Sequence, residues 1–171
     1  MRERPGPVEP PVAFAGDVIQ QEPLAAVDER CRASRHAVVR TTHGREVELA
    51  PAGGRIISID RNPDKHVMAR ENLRRANFLD RVELRTGDAA EIVRQLTGPF
   101  DLVFLDADRR KFPEVLKILL PKLDGKVLVI ADNVLSHPEE IAEYLKLISS
   151  LADFQHTTVP IGKGLSIAYR E

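Results

Sequence analysis

Two short runs constrain the fold of this chain more than anything else in it. Leu102-Val103-Phe104-Leu105 and Val127-Leu128-Val129-Ile130-Ala131 are apolar without a break, and each ends on an acid, Asp106 or Asp132. A strand wetted on one side alternates apolar with polar residues. A run apolar on both sides must be covered on both, as in a parallel sheet layered with helices. Neither run approaches the roughly 18 apolar residues of a membrane-spanning helix.

The surrounding text alternates between strand and helix patterns. Residues 37–41 read as a first strand, and Arg55–Asp60, following Gly53-Gly54, as a second. Asn62-Pro63 opens a helix with the apolar stripe Ala69, Leu73, Ala76. Residues 81–86 form the next strand, and Asp88 with Glu91 makes a capping-box-like start to a helix bearing Ala89, Val93 and Leu96. Strand 101–106 leads to a helix marked by Phe112, Val115, Leu116 and Leu119. Strand 126–132 leads to one begun by Ser136, Pro138 and Glu139 and carrying Ile141, Leu145 and Ile148. Residues 154–160 and Leu165–Arg170, joined by Ile161-Gly162-Lys163-Gly164, read as an antiparallel hairpin. The pattern predicts an α/β, Rossmann-like, mostly parallel doubly wound sheet with a C-terminal antiparallel hairpin, spanning residues 36–171. Residues 1–35 hold Pro5, Pro7, Pro10, Pro11 and Pro23 and read as a loosely structured N-terminal segment with one short helix around 24–32.

With 171 residues, 43% hydrophobic and 30% charged, the chain suffices for one domain and its core, and its net charge of -1 supplies no global basic field for nucleic acid. The single cysteine, Cys31, excludes an internal disulfide framework and a Cys-rich zinc site. No secretory leader or membrane span is legible, so the cytoplasm is the expected compartment. The histidines His36, His43, His66, His137 and His156 show no paired ligand spacing; His66 reads as lying on a solvated helix face and His137 at a helix start.

Ligands of open parallel sheets bind beyond the carboxyl ends of the strands. Three strands here finish on Asp60, Asp106 and Asp132, with Asn133 directly after the last. The strands ending at Asp106 and Asp132 are consecutive and expected to be neighbours, about 4.8 Å apart. Their carboxylates with Asn133 form an all-oxygen set suited to Mg²⁺ rather than zinc. Asp and Asn also favour turns and caps, and spacing alone leaves that reading open. Asp60 stands where nucleotide-binding folds place an acid for ribose hydroxyls.

The residues also carry a resemblance. Ile59-Asp60, Ala69-x-x-Asn72-x-x-x-Ala76, Arg81-Val82 running to Gly87-Asp88-Ala89, Phe100-Asp101-Leu102-Val103-Phe104-Leu105-Asp106-Ala107-Asp108, Ala131-Asp132-Asn133-Val134-Leu135 and Pro160-Ile161-Gly162-Lys163-Gly164-Leu165 appear in order. This text resembles the cation-dependent, S-adenosylmethionine-dependent O-methyltransferases, which include the catechol and caffeoyl-coenzyme A enzymes. The resemblance implies a class I methyltransferase fold and S-adenosyl-L-methionine bound by Gly44, Asp60, Gly87, Asp88, Ala89 and Asp106. It implies a divalent cation, Mg²⁺ foremost, on Asp106, Asp132 and Asn133. The implied activity is O-methyl transfer to a hydroxyl of a small aromatic, an acyl thioester or a modified nucleoside. A small-molecule acceptor is the expected partner and no membrane is; a homodimer and an RNA substrate stay open.

Two departures bear on activity. Arg109 stands where the family has a lysine suited to assist deprotonation; it can act electrostatically, or Lys111 can substitute, and both are candidate catalytic residues. The family's glycine-rich loop after the first strand is reduced to Gly44, within Val38-Val39-Arg40-Thr41-Thr42-His43-Gly44. The alternative expectation is therefore a non-catalytic or truncated homologue with impaired cofactor binding. A dinucleotide enzyme is disfavoured because no Gly-x-Gly-x-x-Gly is present.

Overall fold

A computed structural model describes residues 36–38 and 54–171 of the chain. Strands β1 (His36–Val38), β2 (Arg55–Asp60), β3 (Val82–Thr86), β4 (Phe100–Leu105) and β5 (Leu123–Asp132) are parallel. Strand β7 (Leu165–Arg170) runs antiparallel both to β5 and to β6 (Gln155–Val159). They form one seven-stranded sheet of order β3-β2-β1-β4-β5-β7-β6. The order reverses between β1 and β4, which opens a crevice at their carboxyl ends. The expected doubly wound fold and terminal hairpin are both present. Of the first expected strand, only residues 37–38 fall in β1. Residues 39–41, the 1–35 segment, the helix at 24–32 and Gly44 lie outside the described residues.

The two apolar runs alternate between two cores. Val103, Leu105, Val127, Val129 and Ala131 face α2 (Ala89–Gln95), α3 (Phe112–Leu119) and α4 (Pro138–Ser150). Leu102 and Leu128 face the other side, with Ile56, Val82 and Leu73 of α1 (Pro63–Arg75). Burial on both faces explains why neither run tolerates polar residues; each fully buried Leu or Val contributes about 1.5–3 kcal/mol. Phe112 and Tyr144 meet edge to face with ring centroids 5.7 Å apart, tying α3 to α4.

The local signals set the helix starts. Asn62 Oδ1 accepts the Asp64 amide at 2.9 Å with Pro63 in the first turn, and Asp88 Oδ1 accepts the amides of Ala90 and Glu91. The end of α2 is closed from outside, where Lys122 Nζ donates to the carbonyls of Val93, Arg94 and Leu96 at 2.6, 2.9 and 2.8 Å. Ser136 does not cap α4, which begins at Pro138 after His137; the Ser136 hydroxyl donates instead to the Asn133 carbonyl at 2.9 Å. Ala76 is exposed because α1 ends at Arg75, leaving Ala76 as the C-cap.

His66 corrects the expectation of a solvated face. It is 6% exposed, with Nδ1 2.8 Å from Thr86 Oγ1, and its Nε2 has no partner among the described residues. It precedes Ala69 by one helical turn and so continues the buried stripe of α1; its polar type concealed its position.

His156 joins a second buried network. Its Nε2 lies 2.9 Å from Ser166 Oγ, which also meets Tyr144 Oη at 3.3 Å. Burial pushes the Tyr144 phenol up to about 12 and lowers both His66 and His156 below the ordinary value near 6.5. At His66 the nearby Asp60 opposes this shift and Arg70 adds to it. A lowered folded value means the unfolded chain takes up protons first as pH falls. The stability carried by neutral His66 and His156 is therefore complete above about pH 6.5 and is lost as pH drops through their lower folded values. Tm is expected to fall between pH 7.5 and 5.5, and the fall to shrink in His156→Asn. Thermal melts across that window check it; an unchanged slope in the variant contradicts the assignment.

Candidate active site

Four loops meet along the carboxyl edge of the sheet. The first two follow β2 and β3 and carry Asp60-Arg61 and Gly87-Asp88. They wall a cavity of about 190 Å³ that Ala89, Asp108 and Lys111 also line. Asp60 is 7% exposed; its Oδ1 accepts the Asn62 amide at 2.9 Å and its Oδ2 lies 3.5 Å from Lys65 Nζ. The carboxylate is thus oriented at the cavity wall by a backbone donor and a nearby ammonium. Gly87 has φ +152, a backbone conformation that side chains rarely adopt, and a Cβ there would press on Ile92 Cδ1 at 3.1 Å, so glycine is the unstrained choice. Its amide is anchored on the Asp60 carbonyl at 3.0 Å. Asp88 accepts the Arg61 guanidinium on Oδ2, and that bond, with its backbone donors, holds its carboxyl below the usual carboxylate range.

The other two loops follow β4 and β5. Leu105 pairs with Ala131, which brings the next residues, Asp106 and Asp132, side by side. The Asn133 carboxamide bridges them, its Nδ2 donating to Asp132 Oδ2 at 3.0 Å and to Asp106 Oδ1 at 3.4 Å. Asp132 Oδ1 also accepts the Asn133 amide at 2.7 Å. Asn133 adopts φ +63, a left-handed conformation that Asn tolerates better than most residues. Two carboxylates converging on one neutral amide leave net negative charge at one point, and an amide turned over would add a third oxygen. This donor set fits a hard divalent cation. Among the described residues no three His, Cys, Asp or Glu side chains gather as a metal cluster.

The two residues expected to be catalytic differ in their placement: Arg109 is engaged with Glu140, and Lys111 is in the cavity wall. Arg109, in a short 3₁₀ turn after β4, donates from Nε and Nη2 to Glu140 Oε2 at 3.1 and 2.8 Å, and its Nη2 lies 3.0 Å from His137 Nδ1. Lys111 lines the cavity with Nζ 3.3 Å from Glu114. His137 lies at the start of α4 as expected. Three residues escaped the sequence reading: Arg61 and Asp108 in the cavity wall, and Glu140 bonded to Arg109. Arg61 was legible in principle, being next to the strand-end acid; Glu140 was not, because nothing local marks it.

The model for a family described as O-methyltransferase matches residues 46–151, more than half of the chain and all of the described site edge. The chain belongs to the O-methyltransferase family. It is 36% identical over 89 residues to the catechol O-methyltransferase of Niastella koreensis, a match spanning 50% of this chain and 40% of that protein. It is 34% identical over 91 residues to the catechol O-methyltransferase of Mycobacterium tuberculosis, spanning 53% and 41%. The chain thus spans about two fifths of the length of these relatives. An O-methyltransferase from Bacillus cereus, solved in complex with SAH, shares the fold with a TM-score of 0.76 at 24% identity, covering 86% of this chain and 78% of that one. No helix among the described residues is long and apolar enough to cross a membrane.

Proposed function

We propose that this chain is an enzyme transferring a methyl group from S-adenosyl-L-methionine to a hydroxyl of a small aromatic, an acyl thioester or a modified nucleoside, with help from a divalent cation such as Mg²⁺. The observation that carries this reading is the convergence of Asp106, Asp132 and Asn133 on the same sheet edge as the Asp60–Asp88 cavity. When bound, the cofactor supplies an electrophilic sulfonium methyl and the cation makes an adjacent acceptor hydroxyl more acidic.

The chain's own residues do the rest. Asp60, oriented by the Asn62 amide and Lys65, accepts the ribose hydroxyls. Gly87 and Ala89 let the adenine lie close to the backbone, and Asp88 holds the floor of that pocket through its capping of α2. Asp106, Asp132 and Asn133 would hold the cation, which in turn would take neighbouring acceptor oxygens as further ligands. The acceptor is thereby oriented toward the cofactor, which is the larger part of such a catalyst's task. The Arg109 guanidinium is engaged with Glu140, and a guanidinium serves as a fixed cation, so its part is electrostatic and not proton removal. The Lys111 ammonium, at the cavity wall, adds positive charge where an acceptor oxyanion forms.

The test is calorimetric titration of the full chain with S-adenosylhomocysteine, with and without Mg²⁺. Micromolar binding is the expected result. Silence from a protein whose circular dichroism and melt are intact overturns the proposal and leaves a non-catalytic homologue.

A further inference from the structure

Arg109 departs from the lysine of the family text, and its surroundings give the substitution a purpose. Its guanidinium is 20% exposed and that of Arg110 70%, while Glu140, gripped by both, is 18% exposed. Glu140 Oε2 takes two bonds from Arg109 and Oε1 takes Arg110 Nη2 at 2.7 Å. The arginines hold its carboxyl below the usual carboxylate range, Arg110 foremost. Arg109 Nη2 also reaches His137 Nδ1, His137 Nδ1 lies 3.1 Å from Ser136 Oγ, and Ser136 Oγ donates to the Asn133 carbonyl.

The path adds a tie between two loops that the Asn133 carboxamide already bridges at the sheet edge. One carries Asp106, three residues before Arg109; the other carries Asp132 and Asn133 and runs into α4. A lysine would offer a single point contact. The arginine fork bonds Glu140 twice and still meets His137, which fixes orientation as well as distance. A pair this sheltered also loses less to solvent than an exposed one.

We propose that Glu140, clasped by Arg109 and Arg110, is a positioning residue that fixes the separation of the Asp106 loop from the Asp132–Asn133 loop and so tunes the chain's affinity for a divalent cation. The inference rests on the cation site proposed above. Glu140 touches no candidate ligand; it acts through the backbone of the two loops. The buried side chains Ile141, Tyr144 and Ile148 hold α4 to the core without it.

Mn²⁺ binding to the full chain, followed by calorimetry, tests this, with the Tm rise at saturating Mn²⁺ as a second readout. Glu140→Ala is expected to weaken binding about 10-fold, the scale seen when partners that orient metal ligands are removed, and to shrink the Mn²⁺-induced Tm rise. Glu143→Ala, on the same helix as Glu140, removes only an exposed contact to Lys117 of α3 and is expected to leave both unchanged. A merely structural role would lower Tm equally with and without Mn²⁺. If the wild-type chain takes up no Mn²⁺, this inference and the cation site fall together. If it binds Mn²⁺ and Glu140→Ala binds within about 2-fold of it, well under 1.4 kcal/mol, only this inference falls. Should Glu140→Ala not fold, Arg109→Lys and Arg110→Ala each remove part of the clasp and are expected to weaken Mn²⁺ binding; unchanged affinity in both overturns it.

Discussion

Asp132→Asn is expected to weaken Mg²⁺ or Mn²⁺ binding by about 100-fold or more, roughly 2.7 kcal/mol, and to reduce methyl transfer in parallel. The substitution keeps an oxygen to accept the Asn133 amide, so the loop retains the 2.7 Å contact that shapes it. What it removes is one of the two negative charges facing the cation, and a hard ion binds through charge and ligand number. The sheet does not depend on that charge. Asp132 ends β5 after Ala131, which is fully buried, and relief of carboxylate repulsion against Asp106 offsets any lost contact. Tm without metal is therefore expected to move little, and Asp106→Asn to behave likewise. Metal titration, with turnover measured beside it, decides the matter. Undiminished metal affinity in both variants, or turnover indifferent to metal, removes these residues from the site.

The second large effect is expected at Gly164, in the hairpin turn far along the chain from any ligand. Gly164 has φ +88, and a Cβ built on it would stand 2.4, 2.8 and 2.9 Å from Leu135 Cγ, Cδ1 and Cβ. Its carbonyl accepts the Val134 amide at 3.1 Å, and the Lys163 carbonyl accepts the Leu135 amide at 2.8 Å. The turn thus holds the two residues directly after Asn133. Gly164→Val combines a left-handed backbone penalty of about 1–2 kcal/mol with displacement of Leu135. A total near 3 kcal/mol, or a Tm drop of about 10 °C, is expected. Because the displaced loop carries Asn133, metal affinity is expected to fall as well. Gly162→Ala is the matched comparison: φ is +57 there, but a Cβ would meet nothing within 4 Å. It is expected to cost about 1 kcal/mol and to spare metal binding. Equal melts and equal metal affinities for the two variants would refute the coupling of turn to site.

Both expectations depend on residues that the sequence made legible to different degrees. Asp132 announced itself: an acid closing a run apolar on both faces lies at the carboxyl edge of a buried parallel strand, and strand adjacency brings Asp106 beside it. The same reasoning located Asp60, and the caps Asn62 and Asp88 followed from the residue types a helix start requires. Gly164 was legible as a turn, but not as the seat of Leu135. His66 was misread because one polar residue on a buried stripe looks like the edge of that stripe. Ser136 was misread because a hydroxyl before Pro138 suits a cap, whereas its oxygen is committed to the Asn133 carbonyl. Arg109 was read as a candidate for chemistry, and the structure engages it with Glu140.

By itself, the sequence determined which segments are strands and helices, that the sheet is covered on both faces, and which edge carries the acids. Periodicity, capping and strand-end position act over a few residues and leave their mark in consecutive letters. The tertiary structure alone decided that Asn133 bridges Asp106 and Asp132, that Glu140 joins two loops, that Thr86 receives His66 and that Gly164 makes room for Leu135. Those pairs lie far apart in sequence, and only the packing of the layers brings their side chains within bonding distance.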